Sequence, residues 1–364
     1  MERSRLGGAK RRLASWGTGL TGRTRETADG PATGTVVLES ADRLDEVLAA
    51  DFTGAGTVVL VPGDGGGEAG PDDEGRPLVL AYEGSLAEPG DEMSIGDSFF
   101  LQTQDYATSA YMSVIGPTLI RITEAADLDA FLADADKTRE HGEFASFATH
   151  PSVRLGDLPA LGADPSGDGP RARLFVRATG EVTLGPGGLP LGTAGDGLAA
   201  LEAEWARLNA GSEQPCAVSL GAVVPEPERV AALAARPWLG RYLAALDAIR
   251  ELRSRGTTGL KVSGFGARLA HGEGDADHAG VDVPLLLWND DDKAFVHHAP
   301  TGRFFAVDRA AAELTEALLV HGSVEAAAAH AGTGADRDAL TRVEGFFTTA
   351  GVRLTGPAPM AAAR

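Results

Sequence analysis

Val283-Pro-Leu-Leu-Leu-Trp288, Lys293-Ala-Phe-Val-His-His298 and Arg303-Phe-Phe-Ala-Val307 are three short apolar runs divided by turn-forming residues. Asn289-Asp-Asp-Asp292 parts the first two, and Pro300-Thr-Gly302 parts the last two. Tight polar turns between short runs of this kind predict an antiparallel three-strand meander. Asp308 then caps a helix through about Val320, with Ala311, Leu314, Leu318 and Leu319 inward, and His321-Gly322 ends it. Ser323 opens a short helix to about His330. Asp336 opens a third, to Thr349, with Leu340, Val343, one of Phe346 and Phe347, and Ala350 on its buried side.

Upstream, residues 34–138 predict an α/β domain. Thr35–Leu38, Thr57–Val61, Pro77–Tyr82, Ser98–Thr103 and Thr118–Ile122 form strands; Ser40 and Thr123 cap helices. The stretch 37–49 echoes 121–133, each a strand, a cap and an amphipathic helix, although two copies make no repeat protein. Residues 139–270 predict a mixed middle region. It begins with a loop over 139–170, continues with a hairpin turning at Thr179-Gly180, and then has helices over 197–208, 226–236 and 237–254. The last carries the stripe Leu239, Leu243, Leu246, Ile249, Leu252, and Gly259–Ser263 follows as a strand. Residues 271–282 form a polar linker to the module at 283–354, and 355–364 a disordered tail. Residues 1–33 carry seven basic side chains (Arg3, Arg5, Lys10, Arg11, Arg12, Arg23, Arg25) with no apolar run behind them. They predict a disordered basic tail or a misplaced start codon, and no secretory signal.

The chain's 364 residues suffice for two or three domains. Its Ala/Gly/Arg bias, with only four lysines, points to a GC-rich, actinobacterial genome. A net charge of −20 opposes phosphate backbones and anionic membranes, so nucleic-acid and membrane partners are not expected. No run is long enough to span a bilayer, and a cytoplasmic location is expected. The single cysteine, Cys216, excludes an internal disulfide and a thiolate cluster and reads as a buried structural thiol.

Candidate chemistry is sparse, and no catalytic residue, cofactor or metal site is expected. Gly63–Gly67 follows a strand as phosphate loops do. It lacks the Lys-Ser/Thr step and is followed by Glu68, Asp72, Asp73 and Glu74, so it reads as a flexible loop. His271, Glu273, Asp275, Asp277 and His278 are oxygen- and nitrogen-rich, but lack an ordered metal-binding frame and read as linker. His297 and His298 are strand neighbours that point to opposite faces, one packed and one exposed. Gln102, Gln104, Asp105, Tyr106 and Tyr111 could line a pocket or simply alternate along a strand.

Three strands followed by three helices resemble the precursor recognition element of pathways that make ribosomally synthesised, post-translationally modified peptides (RiPPs). The carrying residues are Phe295-Val296, Arg303–Asp308, Ala311–Leu314, Gly322–Glu325 and Asp338–Gly351. The resemblance implies an α/β (α+β) chain ending in a winged-helix-like module. With 58–65, Gly90–Met93, Phe99–Tyr106 and Gly116–Thr118, the whole chain resembles the recognition proteins of daptide biosynthesis. That resemblance implies a non-catalytic component that binds a precursor's leader peptide and presents it to RiPP-modifying enzymes. In the family the leader adds a strand beside the third strand, against the third helix. Carried over, the edge is Arg303, Phe304, Phe305, Ala306 and Val307, and the wall is Arg337, Leu340, Thr341, Glu344 and Phe347. Two other classes stay open. One is a peptide-modifying enzyme or obligate enzyme subunit with its active site in 34–270. The other is a DNA-binding regulator, which the charge opposes.

Overall fold

The computed structural model describes residues 2–20, 32–63, 68–69, 75–96, 99–270, 280, 282–330 and 337–355. The chain divides into two compact units, Met1–Leu132 with Ser146–Arg236, and Ala133–Ala145 with Pro237–Arg364.

The first unit is built on β1 (Thr35–Leu38), β2 (Val58–Pro62), β3 (Glu68–Ala69), β4 (Leu78–Gly84), β5 (Glu92–Ile95), β6 (Phe99–Asp105), β7 (Thr118–Arg121), β8 (Val153–Leu155), β9 (Arg173–Val176), β10 (Glu181–Thr183) and β11 (Gly192–Thr193). They form one mixed sheet in the order β11-β10-β9-β1-β2-β4-β5-β6-β7-β8, with β3 paired to β4. Its helices are α1 (Glu2–Thr18), α2 (Leu44–Ala49), α3 (Tyr106–Ser109), the start of α4 (Ala125–His141), α5 (Leu198–Ala210), α6 (Ala217–Leu220) and α7 (Glu226–Ala235).

β1 runs parallel to both β2 and β9, and every residue in it is buried. A strand of this kind needs cover on both faces. On one face Val36 and Leu38 pack with Val47, Leu198, Leu201 and Val218; on the other Val37 packs with Leu13 and Trp16.

This second cover corrects the expectation of a disordered tail over 1–33: Glu2–Thr18 is helical, while residues 21–31 lie outside the described residues. Leu13, Trp16 and Gly17 share one helical face. The Trp16 indole N–H donates to the Leu174 carbonyl at 3.0 Å, and Arg12 donates to the Gly34 carbonyl at 3.0 Å. Trp16→Phe keeps most of the buried ring but leaves that carbonyl without its donor. It is expected to cost about 1–2 kcal/mol in a denaturant melt; an unchanged midpoint would contradict the docking.

The domain boundaries also differ from expectation. The hairpin β9–β10 is no separate middle region, because β9 joins the sheet beside β1. The supposed loop over 139–170 contains the end of α4, β8 paired to β7, and a 3-10 turn over Leu158–Leu161. Thus the first unit takes in much of 139–270, while α8 (Leu239–Ser254) belongs to the second.

In that second unit β12 (Lys261–Ser263), β13 (Gly266–Ala267), β14 (Leu285–Trp288), β15 (Ala294–His298) and β16 (Arg303–Val307) form a sheet in the order β13-β12-β14-β15-β16. The expected meander is therefore present but extended by two strands, β12 antiparallel to β14 and β13 parallel to β12. α9 (Arg309–His321), α10 (Val324–His330) and α11 (Arg337–Thr349) follow. Asp308 and Ser323 cap the first two, accepting from Ala311 N and Ala326 N, and Gly322 ends α9 in the left-handed region that glycine tolerates. Leu286, Trp288, Val296, Leu318, Leu319, Leu340 and Phe347 form the core between sheet and helices. Buried Glu316 of α9 accepts from Ser263 Oγ (2.6 Å), Leu269 N (2.9 Å) and Ala270 N (2.6 Å), tying the strand pair β12–β13 to the helices. All five stripe residues of α8 are buried. Among the described residues no helix is long and apolar enough to cross a membrane.

Candidate functional site

β16 is the last strand in its sheet, so half of its backbone groups have no partner strand among the described residues. The hairpin turns show which half. Asn289 N donates to Lys293 O at 3.0 Å, and Asp292 adopts φ 58°. Residues 289 and 293 are therefore a hydrogen-bonded pair closed by a three-residue turn that ends in the left-handed Asp292. Alternation by two makes 287/295 and 285/297 the bonded pairs between β14 and β15. Ala294, Val296 and His298 must then bond towards β16, to Val307, Phe305 and Arg303 in the observed register. The N–H and C=O groups facing outward belong to Phe304 and Ala306.

The side chains alternate in the same way. Phe305 lies on the helix side, 5.3 Å from the Phe347 ring and 6.2 Å from Phe346, both edge-on. Phe304 lies on the opposite side, stacked on His297 at 4.3 Å with the Arg255 guanidinium 5.4 Å from its centroid. Arg303 spans one end, its guanidinium 4.7 Å from the Phe305 centroid and donating to the Ala350 carbonyl at 2.7 Å. It thereby fastens β16 to the C-terminus of α11. Ala306 is exposed and Val307 half-buried.

The expected wall divides differently. Leu340 and Phe347 are 0% and 1% exposed and belong to the core, so they cannot face a ligand directly. Arg337 and Thr341 are exposed, Arg337 paired to Glu325 at 2.8 Å and Thr341 bonded to its own helix. Glu344 is half-buried and accepts from Thr355 at 2.7 Å. The aromatic side chain presented beside β16 is Phe346, 58% exposed, which was read only as an alternative core residue. The signal for it lay in the helical period: Leu340, Val343 and Phe347 mark the buried face and place Phe346 off its flank.

The chain matches no protein-family model, no curated protein and no solved structure.

Other sequence candidates resolve as scaffold. Gln104 and Tyr106 are buried, Tyr106 edge-on to Phe131 and Phe147; Asp105 caps α3 through Thr108, and Tyr111 is 90% exposed, so these residues line no common pocket. His297 and His298 are both buried, which corrects the expectation of one exposed ring: β14 and β16 flank β15, and α8 brings Arg255 towards the Phe304 face. Burial, then the nearby Arg303 charge, lowers the His298 pKa. The Asn289–Asp292 cluster is turn chemistry, with Asn289 Oδ1 accepting from Asp291 N and Lys293 N. The glycine loop at 64–67 and the 271–278 acidic-histidine cluster lie outside the described residues. Among the described residues no group of three or more His, Cys, Asp or Glu is placed to hold a metal ion.

The first unit holds a buried ion cluster. Arg173 makes a two-point contact with Asp168 (2.8 and 3.3 Å) and a 2.7 Å bond to Asp157, with Ser219 Oγ donating to Asp168 at 3.1 Å. Burial opposes the Arg173 charge, but attraction from Asp168 and then Asp157 outweighs it and raises the pKa. Burial pushes Asp157 up against the pull of Arg173 and Arg121. The ions are enclosed, Arg173 being 2% exposed, which suits a fastener between strands and loops. Cys216 stands beside it, buried, with its thiol pushed up to about 12, chiefly by burial and next by Asp168. Native protein at pH 8 is therefore expected to leave Cys216 unmodified by iodoacetamide while unfolded protein reacts fully. Rapid native labelling, read by mass spectrometry, would contradict that environment.

Proposed function

We propose that this protein binds the leader segment of a ribosomally made precursor peptide as an added strand beside β16 and delivers it to RiPP-modifying enzymes, in a pathway of the daptide type. In this reading α9–α11 with the β14–β16 meander act as a winged-helix-like recognition module. The carrying observation is the edge itself, where the outward backbone groups of Phe304 and Ala306 run beside exposed Phe346 on α11. Backbone pairing supplies affinity that is indifferent to sequence, and an apolar leader side chain seated against Phe346 and Phe305 supplies selection. The net charge of −20 favours a leader without a strong acidic bias. The work assigned to the chain is recognition in the cytoplasm, where the precursor is synthesised, with no catalytic step of its own.

The test is titration of the full chain with a fluorescent precursor peptide encoded beside its gene. One-to-one binding that survives removal of the core segment but not of the leader is the expected result; absence of binding would overturn the proposal. Phe346→Ser removes roughly half an exposed ring's worth of contact and is expected to weaken binding about tenfold, near 1.4 kcal/mol, with little effect on folding.

A further inference from the structure

Opposed residues of neighbouring strands put their side chains on the same face of a sheet. The register of the second sheet therefore makes two rows across β14, β15 and β16 on the face turned away from α9–α11. One is Leu285, His297 and Phe304; the other is Leu287, Phe295 and Ala306. The stacking of Phe304 on His297 at 4.3 Å belongs to the first row. That row ends in a large half-buried ring, with the Arg255 guanidinium 5.4 Å from its centroid and held by Glu251 at 2.7 Å. The second row steps from buried Leu287 through half-buried Phe295 to exposed Ala306.

A row that ends in one methyl group at the sheet edge leaves a notch. Its floor is Ala306, and its walls are Phe295 across the strand pair and Phe304 two residues along β16. Residues 295 and 306 are a non-bonded pair, because the bonds run through 294/307 and 296/305, so their Cβ atoms take the closer cross-strand spacing of about 4.5–5.5 Å. A methyl is too short to cover the edge-facing side of the Phe295 ring, which accordingly stays half-buried. An aliphatic side chain laid over Ala306 would remove water from that ring and from Phe304 together. The helix face is built differently: there Phe305 fills the row beyond Val296, and Phe347 and Phe346 lie edge-on to it.

Given strand addition at β16, on which this rests, we propose that the notch is a second selecting pocket, which takes an aliphatic side chain of the leader at the residue next to the one that faces Phe346. In an added strand the residue opposite Ala306 lengthens the Leu287–Phe295–Ala306 row, and the residue opposite Phe305 turns towards Phe346. Those two residues are chain neighbours whichever way the strand runs. The docking segment is thus marked by two adjacent apolar residues. A strictly alternating strand would satisfy Phe346 and set a polar side chain in the notch. The residue opposite Phe304 meets the arginine-capped ring and stands outside this requirement.

The test is titration of the full chain with the leader peptide encoded beside its gene and with a series of leaders in which each apolar residue in turn becomes serine. Two adjacent leader residues are expected to be sensitive, each serine weakening binding about tenfold. One penalty is expected to disappear in the Phe346→Ser protein. The other is expected to disappear, the two peptides binding within about twofold of each other, in Phe295→Thr, which removes a wall, and in Ala306→Leu, which fills the notch and keeps the N–H. Phe346→Ser should leave that second penalty intact. Ala306 is exposed, so the leucine variant answers the question even if Phe295→Thr melts early. Sensitive residues an even number of positions apart, or penalties that are all unchanged by Phe295→Thr and Ala306→Leu, would overturn the notch while leaving strand addition standing. A leader that does not bind the wild-type chain at all would overturn strand addition, and the notch with it.

Discussion

Replacing Arg173 with methionine is expected to lower the stability of the first unit by about 3–5 kcal/mol, a fall in its melting temperature of roughly 10 °C. The reason is the asymmetry of buried ion pairs. With Arg173 present, Asp168 and Asp157 are bonded at 2.8 and 2.7 Å, and Ser219 completes the Asp168 shell. Without it, two enclosed carboxylates lose their shared partner, and Asp157 keeps the weaker pull of Arg121. The loss is that of an uncompensated buried charge rather than of one average contact.

The pH dependence gives an independent check. Burial already raises the Asp157 pKa in the native protein, and removing Arg173 removes a pull in the opposite direction. A carboxyl whose folded pKa lies above its unfolded value destabilises the fold as pH rises between the two values. The deficit of the methionine variant should therefore shrink in acid and widen towards neutrality. A cost below about 1 kcal/mol at pH 7, or a deficit independent of pH, would show that the cluster is dispensable.

That cluster also shows where reading the sequence stops. Asp157, Asp168, Arg173 and Ser219 are spread over more than sixty positions, and no local period joins them. The elements themselves were legible because their signals are local. The turns at 289–292 and 300–302, the caps Asp308 and Ser323 and the stop at Gly322 fix the C-terminal strand and helix order. The pairing of β9 with β1 was not legible, since it joins residues about 140 positions apart and a parallel partner leaves no turn signature.

The helix α1 was missed for a related reason. Leu13 and Trp16 are too few to make a stripe, and Gly7-Gly8 weakens the intrinsic propensity. A clue nevertheless stood elsewhere: Thr35-Val-Val-Leu38 does not alternate, so it needs cover on two faces, and nothing assigned to its second face had been identified. At the candidate site the strand over 303–307 was legible, but not which of its backbone groups turn away from β15, and the faces of α11 only in part. The apolar count on α11 could not say which phenylalanine of the 346–347 pair turns inward until the register with Leu340 and Val343 was fixed.

Ala306→Pro is expected to abolish leader binding, by a factor of at least about 100, while leaving the second unit folded. Ala306 is exposed, and its N–H is one of the outward-facing groups of β16, so proline there takes no bond from β15. Its fixed φ is compatible with edge-strand backbone, and the restriction it places on Phe305 is towards the extended conformation that residue already has. What proline removes is the donor that an added strand requires, and its ring sits where the incoming backbone would approach. Phe305→Pro is the necessary contrast. Phe305 is paired with Val296 through the bonded set and packs on Phe347, so the same substitution one residue earlier breaks the sheet itself, at a cost of about 3 kcal/mol or more. Both variants lose peptide, but only Ala306→Pro loses it from a folded protein, which a thermal melt distinguishes. Ala306→Ser, which keeps the N–H, should bind within about threefold of wild type, a difference below about 0.7 kcal/mol. If folded Ala306→Pro also bound within that margin, the peptide would have to dock through side chains alone, and strand addition at β16 would be wrong.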